Sequence, residues 1–126
     1  MNQKIVPAAR LIFGFILIAI GAMAFMNLPL PDFYSPKALA FLQALSNTGY
    51  MNYFMGIVEI IVGLMFVTRK YVALGAALLA PINVNIILFH LFLDLKTILP
   101  GLVLFTLNVF IAYTEWDKYR DLLKTR

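Results

Sequence analysis

This 126-residue chain is 63% hydrophobic and only 13% charged, with a mean hydropathy of +0.90 and a formal net charge of +4. A soluble domain carries about a quarter charged residues, so the composition excludes that class and points to an integral membrane protein. The absence of cysteine removes disulfides, thiolate metal sites and thiol redox chemistry, and the excess of cations reads as anchoring to an anionic leaflet, not as a nucleic-acid footprint.

The first uncharged run, Leu11 to Pro31, predicts a spanning helix over about 7–27. A cleaved signal peptide is the rival reading, because Lys4 and Arg10 precede an apolar core and Ala22-Met23-Ala24 resembles a cleavage site. The apolar run continues to Met26, which favours the span. Pro29, Pro31 and Pro36 then mark the one long loop. Within it Ser35 can cap a short helix over about 36–46 with Pro36 at its first position, and Ala38, Phe41, Leu42 and Leu45 share one face. Such a helix is expected on the outer membrane surface, as a lid over the bundle or as one wall of a lateral opening for a lipid-like ligand.

A second span over about 50–68 follows, with Glu59 as its sole charge, and the turn at Thr68-Arg69-Lys70 is short enough to make the second and third spans antiparallel neighbours. The third span, about 71–93, contains Pro81, which removes a backbone donor and predicts a kink at the carbonyl of Ala77. Asp94 to Lys96 leads into a fourth span over about 97–116, and Tyr113, Trp116 and Tyr119 are placed as interfacial anchors. Each run approaches the ~20 residues that cross a hydrocarbon core at 1.5 Å per residue. The runs are apolar on every face, which excludes the alternating pattern of a β-barrel. The expected fold is therefore an all-α membrane protein: one antiparallel four-helix transmembrane bundle with a short interfacial helix in its first external loop.

With the N-terminus inside, Lys4, Arg10, Arg69, Lys70, Lys118, Arg120, Lys124 and Arg126 lie on the inner side and only Lys37 and Lys96 outside. The asymmetry predicts both termini cytoplasmic.

Counting 3.6 residues per turn puts the unusual residues of each span on one face: Arg10, Gly14 and Gly21; Gly56, Glu59 and Gly63; Asn83, His90 and Asp94; Gly101, Asn108 and Glu115. Small residues let membrane helices approach, so these faces should point inward. Glu59 carries the most weight, because an ionisable group at mid-membrane costs roughly 2.5–3.5 kcal/mol on insertion scales and is functional by default. Glu59, Asn83, Asn85 and Asn108 are expected near one depth, as ligand-binding or proton-exchanging groups or, for the asparagines, as hydrogen-bond glue between helices. His90 is a further candidate as proton carrier or quinone partner, or as a side chain satisfied by Asp94 one turn away. Arg10 and Glu115 lie toward the same end, where an ion pair between them is plausible. No catalytic group and no metal set stands out, and one histidine makes a poor haem site.

The run Leu79-Ala80-Pro81-Ile82-Asn83-Val84-Asn85-Ile86-Ile87-Leu88-Phe89-His90-Leu91-Phe92 resembles the signature of the DoxX family of small bacterial membrane proteins. Ala9-Arg10, Thr48-Gly49-Tyr50, Glu59 followed by Gly63, and an Arg-Lys turn before the third span occur in the matching order over essentially the whole chain. The resemblance implies a four-helix bundle, with Glu59, Asn83, Asn85 and His90 at family positions whose roles are open. Family members are linked to thiosulfate:quinone oxidoreductase or to oxidative-stress membrane complexes. This chain lacks the cysteines that thiosulfate chemistry would require by itself.

The expected function is a redox-associated accessory subunit, not an enzyme on its own, that binds a quinone-like or lipid ligand at an intramembrane polar pocket beside a separate redox partner. The alternatives are a scaffold recruiting membrane partners and a small proton-coupled transporter, which with four helices would need a homo-oligomer, at least a dimer.

Overall fold

The structure, a computed structural model, describes residues 4–125; Arg126, one of the expected inner-side cations, lies outside the described residues. The helices are α1 (Ile5–Met23), α2 (Pro36–Asn47), α3 (Met51–Thr68), α4 (Val72–Leu93), α5 (Ile98–Thr114) and α6 (Trp116–Leu122), with a 3-10 turn at Leu95–Thr97 before α5. Four segments are long and apolar enough to cross a membrane: α1, α3, α4 and the stretch Leu95–Thr114. The chain is an all-helical, multi-pass membrane protein.

Two boundaries differ from the sequence expectation. The first span stops at Met23, not near residue 27, because Ala24, Phe25 and Met26 donate to carbonyls three residues back and Asn27 turns left-handed at φ 52°. The fourth span ends at Thr114, and the Tyr119 anchor sits on a separate helix, α6. Asparagine tolerates the left-handed region better than most residues. Arg69 and Tyr71 adopt the same region at φ 58° and 57° to make the sharp α3–α4 turn, where Lys70 N donates to Met65 O at 3.0 Å.

The closest helix pair is α1 against α3, and glycines set its spacing. A Cβ built on Gly14 would stand 2.9 Å from Gly63 O, and one on Gly63 would stand 2.7 Å from Gly14 O. Gly21 and Gly56 repeat the arrangement at 2.5 and 2.8 Å from each other's carbonyl oxygens. As numbers rise along α1 they fall along α3, so these two helices run in opposite directions. The seven-residue glycine spacing keeps each pair on one helix face two turns apart.

The apolar core joins Phe13 and Leu17 of α1, Val62 and Phe66 of α3, Val72, Ala76 and Leu79 of α4, and Ile111 of α5. All lie in the half of the bundle nearer the α3–α4 turn. Phe13 and Phe66 pack ring on ring at 5.5 Å. The other half holds the larger cavity described below.

Two latches tie the remaining helices to α4. Ser35 Oγ accepts from Ala38 N at 3.2 Å, capping α2 as its sequence predicts, and donates to Leu93 O at the end of α4. Ala38 is fully buried beneath this contact, while Phe41 meets Phe89 of α4 at 5.5 Å. At the opposite end the Tyr119 hydroxyl of α6 donates to Ala73 O at 2.6 Å.

Candidate functional site

Glu59 stands midway along α3, three residues after Gly56, on the face that meets α1. Beyond the Gly21–Gly56 contact, α1 ends early and the chain swings out through 24–31. The diverging segments leave a cavity of about 680 Å³ between the end of α1, the 27–31 loop and the first half of α3. Glu59 lines it at the inner end, and Asn52 and Met55, seven and four residues earlier, line it from the same helix face. Ile20, Met23, Leu28 and Leu30 supply an apolar wall.

The polar rim is organised within the protein. Asn52 Nδ2 donates to Ser46 Oγ at 2.9 Å, joining α3 to the end of α2. The Tyr53 hydroxyl lies 3.4 Å from Asn27 Oδ1 as donor, and its ring packs on Phe25 at 5.3 Å. Glu59 has no hydrogen-bond or ion-pair partner among the described residues, and it is the one charged side chain among those lining this cavity.

The other candidates do not converge on it. Asn83 and Asn85 are two residues apart on α4, about 200° around the helix, and so cannot share a face; Asn83 is buried and Asn85 exposed. Asn108 is buried on α5, and its Nδ2 donates to Ala76 O at 3.2 Å. Ala76 is seven residues from Asn83, about 10 Å along the axis. Of the groups expected in one polar layer, only Glu59 lines the α1–α3 cavity; Asn83 and Asn108 are buried on α4 and α5, and Asn85 is exposed on α4. Asn83 Nδ2 and Asn108 Oδ1 are buried without a partner among the described residues. The inward-facing reading of the glycines, Asn83, His90, Asp94 and Asn108 agrees with their burial.

His90 belongs to a different cluster, at the junction of α4 and α5. Its Nδ1 lies 3.2 Å from Asp94 O and 3.1 Å from Thr97 Oγ1, and Thr97 Oγ1 donates to Asp94 Oδ2 at 2.7 Å. The threonine hydroxyl has one proton and gives it to the carboxylate, so in the neutral imidazole Nδ1 carries the hydrogen. Asp94 therefore satisfies His90 through its backbone carbonyl and through Thr97, a residue the sequence reading passed over. Phe89 and Tyr34 continue the cluster edge to face at 6.0 Å. Burial first, and the Asp94 carboxylate second, push the Tyr34 phenol above the usual tyrosine range.

The expected Arg10–Glu115 ion pair is not formed. Arg10 Nη1 instead donates to Phe66 O, and Glu115 pairs with Lys118 one turn on. The reason is reach: an exposed i, i+3 partner on the same stretch of chain is available to Glu115, and the α3 C-terminal carbonyls lie beside Arg10. A smaller cavity of about 540 Å³ at this end is lined by Arg69, Tyr71, Glu115, Lys118 and Tyr119 over an apolar base.

Asn27, Ser46, Asn52 and Tyr53 are the cavity residues missed from sequence. Asn52 was legible, standing two helical turns from Glu59 on one face. Asn27 and Ser46 were not, since only the chain path brings the two ends of the long loop together. These features define a helical membrane protein with an acid-headed cavity between α1 and α3. The chain matches no family model, no curated protein and no solved structure.

Proposed function

We propose that this chain is a DoxX-like accessory subunit of a redox-associated membrane assembly, and that it holds an amphiphilic ligand, quinone-like or lipid-like, in the α1–α3 cavity. One observation carries the reading: Glu59 heads a cavity of about 680 Å³ with apolar walls and has no partner among the described residues. Binding sites are concave, largely apolar and carry a few convergent polar groups, and this volume falls inside their usual range of about 300–1,000 Å³. In the neutral form Glu59 donates a hydrogen bond to a ring carbonyl or headgroup oxygen, while Ile20, Met23, Leu28 and Leu30 take the tail. In this reading a separate partner supplies electron transfer; without cysteine the chain has no thiol redox chemistry of its own.

The proposed setting is a bacterial inner membrane crossed by four antiparallel spans, with both termini cytoplasmic and α2 at the outer surface. Support comes from the opposed Gly14–Gly63 and Gly21–Gly56 pairs and from the distribution of Lys and Arg. Fluorescence titration with decylubiquinone in nanodiscs tests the reading. Saturable binding that weakens in Glu59→Leu and persists in His90→Ala is the expected result; no saturable binding by the wild type, or equal binding by Glu59→Leu, refutes it.

A scaffold that pairs with other membrane proteins is favoured by one separate feature. Asn85 is exposed on α4 among the exposed apolar residues Leu78, Val84 and Leu88, and membrane asparagines commonly bond across helices. Cross-linking from Asn85→Cys tests for a partner at that face.

A further inference from the structure

We infer that the α1–α3 cavity selects a lipophilic cation, an organic ammonium or phosphonium with an apolar body, and that Glu59 binds it by giving up a proton. The inference rests on the cavity being the ligand site and adds the charge of the ligand. Lysine and arginine are absent from the lining of this cavity, although the smaller cavity at the opposite end has both. An anionic headgroup would meet Glu59 with no countercharge. A cation meets a carboxylate that no group among the described residues neutralises, between apolar walls where the attraction exceeds that in water.

One further polar group fits the same sign. The Tyr53 hydroxyl donates its one proton toward Asn27, so what it has left to offer is lone pairs. Tyr50 and Tyr53 add aromatic faces, which attract cations through the ring quadrupole. Apolar walls from α1 and the loop match an apolar body and disfavour a small hydrated ion.

Protonated Glu59 plus the cation gives the Glu59 carboxylate–cation pair plus one released proton, so charge in the cavity is conserved. Titratable groups facing Glu59 across the cavity are few. They are Tyr53 of α3 and Tyr50 just before it, while the lining residues of α1, the 27–31 loop and the end of α2 contribute none. The exchange is therefore a one-proton event. It makes affinity fall as pH is lowered, by up to about tenfold per unit where Glu59 is protonated.

The test uses the full-length protein in phosphatidylcholine nanodiscs, with empty discs subtracted, and three probes: tetraphenylphosphonium, its isosteric anion tetraphenylborate, and neutral decylubiquinone. Calorimetry in two buffers of different ionisation enthalpy reads proton release. The expected result is saturable tetraphenylphosphonium binding with release of up to one proton, no saturable tetraphenylborate binding, and at least a tenfold loss of cation affinity with no proton release in Glu59→Gln. Because Glu59 makes no hydrogen bond or ion pair among the described residues, the glutamine variant should keep the wild-type melting temperature, which is measured alongside. If decylubiquinone binds saturably and the cation binds no better than its anion, the inference falls while the amphiphile reading stands. If no probe binds, both fall. Equal cation binding by wild type and Glu59→Gln, or binding without proton release at every pH, also overturns the exchange.

Discussion

Replacing Gly21 by alanine tests whether the α1–α3 contact is set by backbone approach. The new methyl carbon would stand 2.5 Å from Gly56 O and 2.7 Å from Ile60 Cγ1, against 3.4–4 Å for ordinary contact. The obstacle at 2.5 Å is backbone, so no rotamer change relieves it, and the helices must separate by close to 1 Å at that level. Such a gap forfeits a quarter to a half of the dispersion attraction of the atoms facing it, and overpacking of this kind costs about 1–3 kcal/mol. In a bilayer, where helix association depends on close packing, nothing else along this seam offsets the loss. Two control glycines separate the steric effect from a general dislike of alanine. At Gly101 the nearest atoms are side-chain carbons of Ile86 and His90 at 3.1 and 3.3 Å, which move aside by tenths of an ångström. Gly49 has no atom within 4 Å but sits at φ +80°, so alanine there costs only the left-handed backbone penalty of about 1–2 kcal/mol. Thermal unfolding in a mild detergent, followed by circular dichroism, should rank Gly21→Ala and Gly56→Ala well below Gly101→Ala. If Gly21→Ala melts no earlier than Gly101→Ala, the close-contact reasoning is wrong.

Ser35→Ala removes both the α2 cap and the donor to Leu93 O; a loss of about 1 kcal/mol, seen as faster amide exchange confined to α2 and the end of α4, is expected. Uniform exchange changes across all helices would contradict this local role. Burial, and secondarily the Glu115 carboxylate, raise the Tyr119 phenol above its ordinary value of 10.0. A pKa raised on folding gives stability that is fully present below the unfolded value and lost as pH rises through the folded one. Tyr119→Phe should therefore melt earlier at neutral pH, having lost the bond to Ala73 O, yet show a shallower further decline above about pH 10. Tyr34, whose phenol is raised by burial and then by Asp94, adds an alkaline decline that Tyr119→Phe leaves in place.

Much of this architecture was written in local order. Apolar runs of near-spanning length, three uncharged and one broken only by Glu59, gave four membrane helices, because backbone groups in hydrocarbon must be satisfied within their own segment. The 3.6-residue repeat placed Gly14, Gly21, Gly56, Gly63, Gly101, His90 and Asn108 inward, and Ser35-Pro36 marked the start of α2. Periodicity, however, fixes only the angle of a residue around its own axis. How far each helix slides past its neighbour depends on which ridges and small residues interlock. That slide carried Asn108 to Ala76, two turns from Asn83, and set Glu59 beside the loop ends at Asn27 and Ser46 instead of among the asparagines. Arg10 shows the same division: sequence placed it at the inner end beside Glu115, and tertiary packing gave it the carbonyl of Phe66. The sequence by itself determined the solvent each segment occupies and the face each polar group takes. Only the tertiary structure decided which polar groups meet, because meeting depends on axial register between helices, a property that no single helix encodes.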